Sequence, residues 1–143
     1  MASASSSPSE IEVQLTVPFH DVDMMEIAWH GNYAKYFEIA RCALLDQINY
    51  NYRQMQASGY GWPIIELKTR YIKPARFGQV VTVRARIAEY ELRLKIDYLI
   101  TDAQSGVRLT KGHTVQVAVD LENGELQLAS PPILLEKLGV RAK

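Results

Sequence analysis

The feature that most narrows what this chain can fold into is a change of hydrophobic period partway along it. From Tyr33 to Ile48, apolar side chains recur at spacings of three and four: Tyr33, Tyr36, Phe37, Ala40, Leu44 and Ile48, widened by Ile39, Ala43 and Leu45. From Ile65 onward they recur at every second residue, in successive runs too close together to admit long helices. The first pattern specifies a helix apolar around most of its circumference, which must be wrapped by other structure. The second specifies an antiparallel meander with one apolar face. Together they predict an α+β domain in which a curved antiparallel sheet wraps a long central helix.

The individual segments follow from the same rules. Odd positions from Ile11 to Phe19 are Ile, Val, Leu, Val and Phe, predicting a half-buried first strand. A short helix is expected from Tyr50 to Ala57, closed by Ser58-Gly59. Strands are expected over Ile65–Tyr71, ended by Lys73-Pro74, over Val81–Ile87 and over Leu92–Ile100. A turn is expected at Asp102–Gly106, and Val115, Val117 and Val119 predict one more strand, with His113 on its apolar side. Asn123-Gly124 suggests a two-residue hairpin, and Pro131-Pro132 opens a terminal helix. Glu38 and Arg41 read as a local surface ion pair.

At 143 residues and 48% hydrophobic content the chain suits one domain with a real core. Residues 1–10, rich in serine and alanine, read as a disordered lead-in without the apolar segment of a secretion signal, and residues 11–143 as the domain. No apolar run reaches membrane-spanning length, and the lone Cys42 has no disulfide partner, so a cytoplasmic setting is expected. Formal net charge is zero, which argues against binding nucleic acid. Charge is uneven, however: Glu66 to Lys95 holds eight bases and three acids, +5, balanced by −5 elsewhere. Such a stretch suits a phosphate-bearing ligand or an acidic partner, or forms solvated outer faces of strands.

The chemistry-bearing segment joins the first strand to the helix: Asp21-Val-Asp23-Met-Met-Glu-Ile-Ala-Trp29-His30-Gly-Asn32-Tyr33. A carboxylate there faces the N–H groups that a helix start leaves without intrahelical acceptors, and acyl transfer needs that pairing. Asp23 can attack a carbonyl or activate water; either Asp21 or Asp23 can instead simply close an Asx-turn. His30 offers a backbone N–H and an imidazole, Asn32 a helix cap, and Tyr33 a ring beside the site. His20, Asp21, Asp23 and His30 match no compact metal motif, and no phosphate-cradling loop or nucleophile elbow is present. Neither metal nor cofactor is expected.

These residues resemble the 4-hydroxybenzoyl-CoA thioesterase family of hotdog-fold acyl-CoA thioesterases, including its Tol-Pal-associated members. The similarity rests on Phe19-His-Asp21-Val-Asp23, Trp29-His30-Gly-Asn32-Tyr33, Lys35-Tyr36-Phe37-Glu38, Ala40-Arg41 and Arg70-Tyr-Ile-Lys-Pro74-Ala-Arg76-Phe-Gly78, and spans Ile11 to Asp120. It implies a hotdog fold, homodimers joined sheet edge to sheet edge that often pair as dimers of dimers, and active sites at the dimer interface. It implies Asp23 as the catalytic acid, with Asp21 supporting the loop, and the His30 N–H as the group polarising the carbonyl. Trp29, Tyr33, Trp62, Pro63 and Ile64 are candidates for the acyl pocket.

Two departures from the family pattern bear on substrate. Where some members carry an arginine-rich turn for the phosphates of CoA, this chain has Glu91-Leu92-Arg93, and only Arg93 matches. An acyl carrier protein, acidic and bearing the acyl group on a phosphopantetheine arm, is therefore a rival donor to acyl-CoA. Met24-Met25-Glu26 replaces small residues in the loop and either lines an acyl tunnel or fills a gap. The rival readings of the whole chain are a non-catalytic acyl-thioester-binding module and a hotdog 3-hydroxyacyl dehydratase.

Overall fold

The computed structural model describes residues 9–140. Of the lead-in expected over residues 1–10, residues 1–8 lie outside that range; Ser9 sits in a turn and Glu10 already opens a strand. The elements run β1 (Glu10–Thr16), α1 (Asn32–Gln47), α2 (Tyr52–Ala57), β2 (Tyr60–Gly61), β3 (Ile64–Tyr71), β4 (Val80–Glu89), β5 (Leu94–Asp102), β6 (Arg108–Gln116), β7 (Val119–Asp120) and α3 (Pro132–Leu138). Five strands form one antiparallel sheet in the order β1-β4-β5-β6-β3, while β2 and β7 pair separately.

The inner face of this sheet is where the core sits. Val81, Val83 and Ala85 of β4 and Leu94, Ile96 and Ile100 of β5 are fully buried, as the alternation requires. α1 presses Tyr36, Phe37, Ala40, Leu44 and Leu45 onto them, and Phe37 stacks on Tyr98 with ring centroids 4.5 Å apart. Burial of each large apolar side chain stabilises the fold by roughly 1.5–3 kcal/mol. Gly112 makes the close fit possible. A Cβ there would lie 2.2 Å from the Lys68 carbonyl oxygen and 2.8 Å from the Phe37 ring.

Several expectations are corrected. The first strand ends at Thr16, because Pro18 has no N–H for a ladder and the chain turns into a single 3-10 turn over Phe19–Asp21. Phe19 is consequently 73% exposed and lies edge-on to Phe77. Ile39 is exposed, so the apolar stripe of α1 is narrower than its composition suggests. Arg41 is no surface group: it is 2% exposed, paired with Glu38 and placed over the Tyr52 ring.

β6 carries the largest surprise. Its register with β5 puts Thr110, Gly112, Thr114 and Gln116 on the helix side, opposite Ile100, Tyr98, Ile96 and Leu94. The valine alternation therefore marks the side away from the helix, where Val115 is nonetheless fully buried, and His113 points outward to Glu66 at 2.5 Å. The buried hydroxyls remain tolerable where they are paired, as Tyr98 Oη and Thr114 Oγ1 are at 2.8 Å. Val119 belongs to the separate β2–β7 pair. The hairpin at Asn123-Gly124 has four loop residues, 121–124, because the Asp120 carboxylate accepts the Glu122 and Asn123 N–H groups and the Asp120 N–H meets the Glu125 carbonyl.

Candidate active site

The segment between β1 and α1 is clasped by one buried acid. Asp21 is 3% exposed, and its carboxylate accepts hydrogen bonds from Lys35 Nζ at 2.5 Å and Tyr36 Oη at 2.8 Å. Its carbonyl accepts the Trp29 N–H and the Asn32 side-chain amide, so both ends of the loop close on α1. Burial alone would push this carboxyl up, but the Lys35 ammonium and the Tyr36 hydroxyl hold it below the usual range. Burial and the neighbouring carboxylate push the Tyr36 phenol far upward. Asn32 thus acts as a tether rather than as the helix cap; the capping position is Gly31, which makes no side-chain bond.

Two residues on, Asp23 has the opposite environment. It is exposed at the tip of a tight reversal: its N–H donates to the Ile27 carbonyl, and its own carbonyl accepts the Glu26 N–H. Glu26 completes this reversal at φ 62°, a left-handed conformation uncommon for a non-glycine residue. Asp23 Oδ1 accepts the Met25 N–H at 2.8 Å, so the Asx-turn is formed. The other carboxylate oxygen, Oδ2, has no hydrogen-bond partner among the described residues.

Asp23, His30 and Tyr33 line one cleft of about 320 Å³ together with Ile27, Tyr71 and Lys73. The His30 and Gly31 N–H groups, at the start of α1, donate to no acceptor among the described residues. Tyr71 Oη donates to the His30 carbonyl at 3.0 Å, and its ring meets those of His30 and Tyr33 edge-on. Tyr33 Oη accepts the Ala75 N–H. The Tyr71 hydrogen bond ties the His30 peptide to the end of β3. Trp29 lies 4.8 Å from the His30 ring and against Gly31, where a Cβ would come within 2.0 Å of the indole. Only glycine lets the indole rest there.

The remaining expected pocket residues lie elsewhere in the single chain. Trp62 is buried, donating from Nε1 to Tyr50 Oη at 3.2 Å, and Pro63 and Ile64 sit at the start of β3, the end remote from the cleft. Arg93 stands at the β4–β5 turn, paired with Glu89 at 2.8 Å. Conversely, Tyr71 and Lys73 belong to the cleft although neither is among the residues the sequence singles out for the site. Their signal was present, in the Arg70–Gly78 motif, but nothing local says that this motif folds against the Asp23 loop. The contacts that place it there are backbone ones, Ala28 N–H to the Ala75 carbonyl and Phe77 N–H to the Glu26 carbonyl.

A family model described as the thioesterase-like superfamily matches residues 17–138. A Bacillus subtilis protein provisionally named an acyl-CoA thioesterase is 31% identical over 84 residues, 59% of this chain and 58% of that one. The crystal structure of a Thermus thermophilus protein titled as hypothetical superposes with a TM-score of 0.79 at 30% identity, covering 90% of this chain and 96% of that one. That of a 4-hydroxybenzoyl-CoA thioesterase mutant bound to 4-hydroxybenzoyl-CoA superposes at 0.78 with 18% identity, covering 91% and 99%, a likeness of fold.

Proposed function

The chain belongs to the thioesterase-like superfamily, and from that premise we propose that it hydrolyses an acyl thioester, carried on CoA or on a carrier protein, to a free acid and a thiol. The observation that carries this reading is the shared cleft, in which the Asp23 carboxylate faces the same space as His30 at the start of α1. A water oxygen adds to the thioester carbonyl, the C–S bond breaks, and the sulfur leaves as a thiolate that takes up a proton. Asp23 either accepts the proton of that water or itself adds to the carbonyl and expels the thiolate, giving an acyl-aspartyl anhydride that water then cleaves to the free acid. The His30 N–H supports the negative charge developing on the carbonyl oxygen, a role worth about 3–4 kcal/mol for a preorganised donor. Ile27, Tyr33 and Tyr71 offer apolar surface to the acyl group.

The test is Asp23→Asn. We expect turnover of an acyl-CoA panel to fall about 10³-fold while thermal stability and sedimentation stay unchanged. Near-normal activity in this variant sinks the assignment.

The active unit in this reading is a homodimer joined through β3. That strand is an edge of the sheet, and Ile64, Ile65, Leu67 and Tyr71 are exposed along it. Antiparallel pairing of β3 with a second copy brings the partner's Pro63 and Ile64 toward the Tyr71 end of the strand. That arrangement reconciles the expected pocket residues with their separation, roughly 23 Å along one strand. The same sedimentation run distinguishes a dimer from a dimer of dimers.

A further inference from the structure

Two groups stand out among the bases on the outer face of the sheet. Arg84 pairs with Glu12 at 3.0 Å and Glu10 at 3.7 Å, Arg86 with Asp97 at 3.2 Å, and Arg93 with Glu89 at 2.8 Å. Lys68 and Arg70 on β3, with Arg108 and Lys111 on β6, have no acidic partner among the described residues. All four line one shallow concavity of about 450 Å³. Its carboxylate, Asp97, is the one already engaged by Arg86, and the neighbouring Glu66 is engaged by His113. Arg70 stands directly opposite Lys111 in the β3–β6 register, an arrangement that costs the sheet free energy. An anionic ligand would relieve that repulsion.

The lining distinguishes between anions. A nucleotide site needs an apolar slot or an accessible aromatic face for the base. Of the rings in this lining, Tyr98 is buried and turned inward onto Phe37 and the His113 imidazole is engaged by Glu66, which leaves half-buried Leu99 as its large apolar side chain. What remains is a spread of cations across two strands, which complements an acidic protein surface. Position adds to this. Arg70 immediately precedes Tyr71, and successive strand residues point to opposite faces, so the basic concavity and the Asp23 cleft lie on opposite sides of the same end of β3.

We propose that Lys68, Arg70, Arg108 and Lys111 dock an acidic carrier protein, whose thioester-bearing arm passes around the end of β3 into the Asp23 cleft. This rests on the thioesterase reading and names the source of its substrate. The experiment gives one acyl group on three thiols, an acyl carrier protein, CoA and N-acetylcysteamine, to the full chain and to the Arg108→Glu/Lys111→Glu variant. For the carrier thioester we expect kcat/KM to fall roughly 10- to 100-fold, mostly through KM, and the wild-type value to fall with added salt. Turnover of the N-acetylcysteamine thioester keeps its rate. The milder Arg108→Gln/Lys111→Gln variant, checked by thermal melting, gives a smaller loss in the same direction and separates docking from misfolding.

Carrier turnover unaffected by either variant overturns the proposal. So does a loss confined to acyl-CoA, which would make the concavity a nucleotide phosphate site. Should the wild-type chain hydrolyse none of the three thioesters, the thioesterase reading fails by itself. The docking claim is then decided by titrating labelled carrier protein, whose fluorescence anisotropy must rise with the wild type and not with the Glu variant.

Discussion

β5 and β3 carry the same alternation and meet opposite fates. Leu94, Ile96 and Ile100 of β5 are fully buried under α1, whereas Leu67 of β3, on the same inner face of the same sheet, is 49% exposed. The difference is position: β5 is flanked by β4 and β6, while β3 is an edge strand with β6 as its one neighbour in the sheet among the described residues. An apolar period reports that a face is meant to be covered, without saying whether the same chain covers it. The contrast recurs at the scale of single residues. Asp21 and Asp23, two positions apart, are respectively buried in a hydrogen-bonded clasp and exposed with one oxygen that has no partner among the described residues. In each pair the first member holds the fold, and the second is left available.

The sharpest way to break this comparison is to place a charge on each strand. Ile96→Asp on β5 buries an unpaired carboxylate and should cost about 4 kcal/mol or more, enough to unfold the chain, as urea denaturation would reveal. A folded, near-native Ile96→Asp protein would contradict the division of roles.

Between the two acids, Asp21→Asn should lower stability by roughly 2 kcal/mol at neutral pH, because Lys35 loses its charged partner and Tyr36 a strong acceptor. The pH dependence has a definite sign. The folded carboxyl of Asp21 titrates below its unfolded value near 4, so its stabilisation is complete above that value and is lost as pH falls through the folded one. Melting curves of wild type and variant should therefore converge in acid. A gap that persists or widens there would remove Asp21 from the clasp.

The smallest effect on folding is expected on β3. Leu67→Lys should change the stability of the folded subunit by less than about 0.5 kcal/mol while shifting sedimentation from dimer to monomer. Unaltered association would move the interface elsewhere.

Much of this architecture was legible along the chain. The period of α1, the β4 and β5 alternations, the Asp102–Gly106 turn and the helix start at His30-Gly31-Asn32 all depend on neighbours within a few residues. Local propensity and pattern report such features directly. Where the reading failed, the deciding partner was distant in sequence. The face of β6 follows from its register with β5, and the valines at 115, 117 and 119 carry no trace of it. Arg41 looked like a surface residue because its spacing from Glu38 is that of a local pair, and its burial depends on Tyr52 beyond the helix end. The +5 stretch likewise dissolved on folding: Arg84, Arg86 and Arg93 found acids, while Arg108 and Lys111, outside the stretch, joined Lys68 and Arg70.

The amino-acid sequence alone determined the class of fold, the position of the central helix and the Asp21–Tyr33 segment as the place to look for chemistry, because periodicity and a family-like spacing are one-dimensional properties. Which acid is buried, that Tyr71 steadies the His30 peptide, which bases stay unpaired and which apolar face is left bare were decided by the tertiary structure. Burial and charge pairing depend on distance in space, and a curved sheet brings together residues that the chain keeps 40 or more positions apart, as it does His30 and Tyr71.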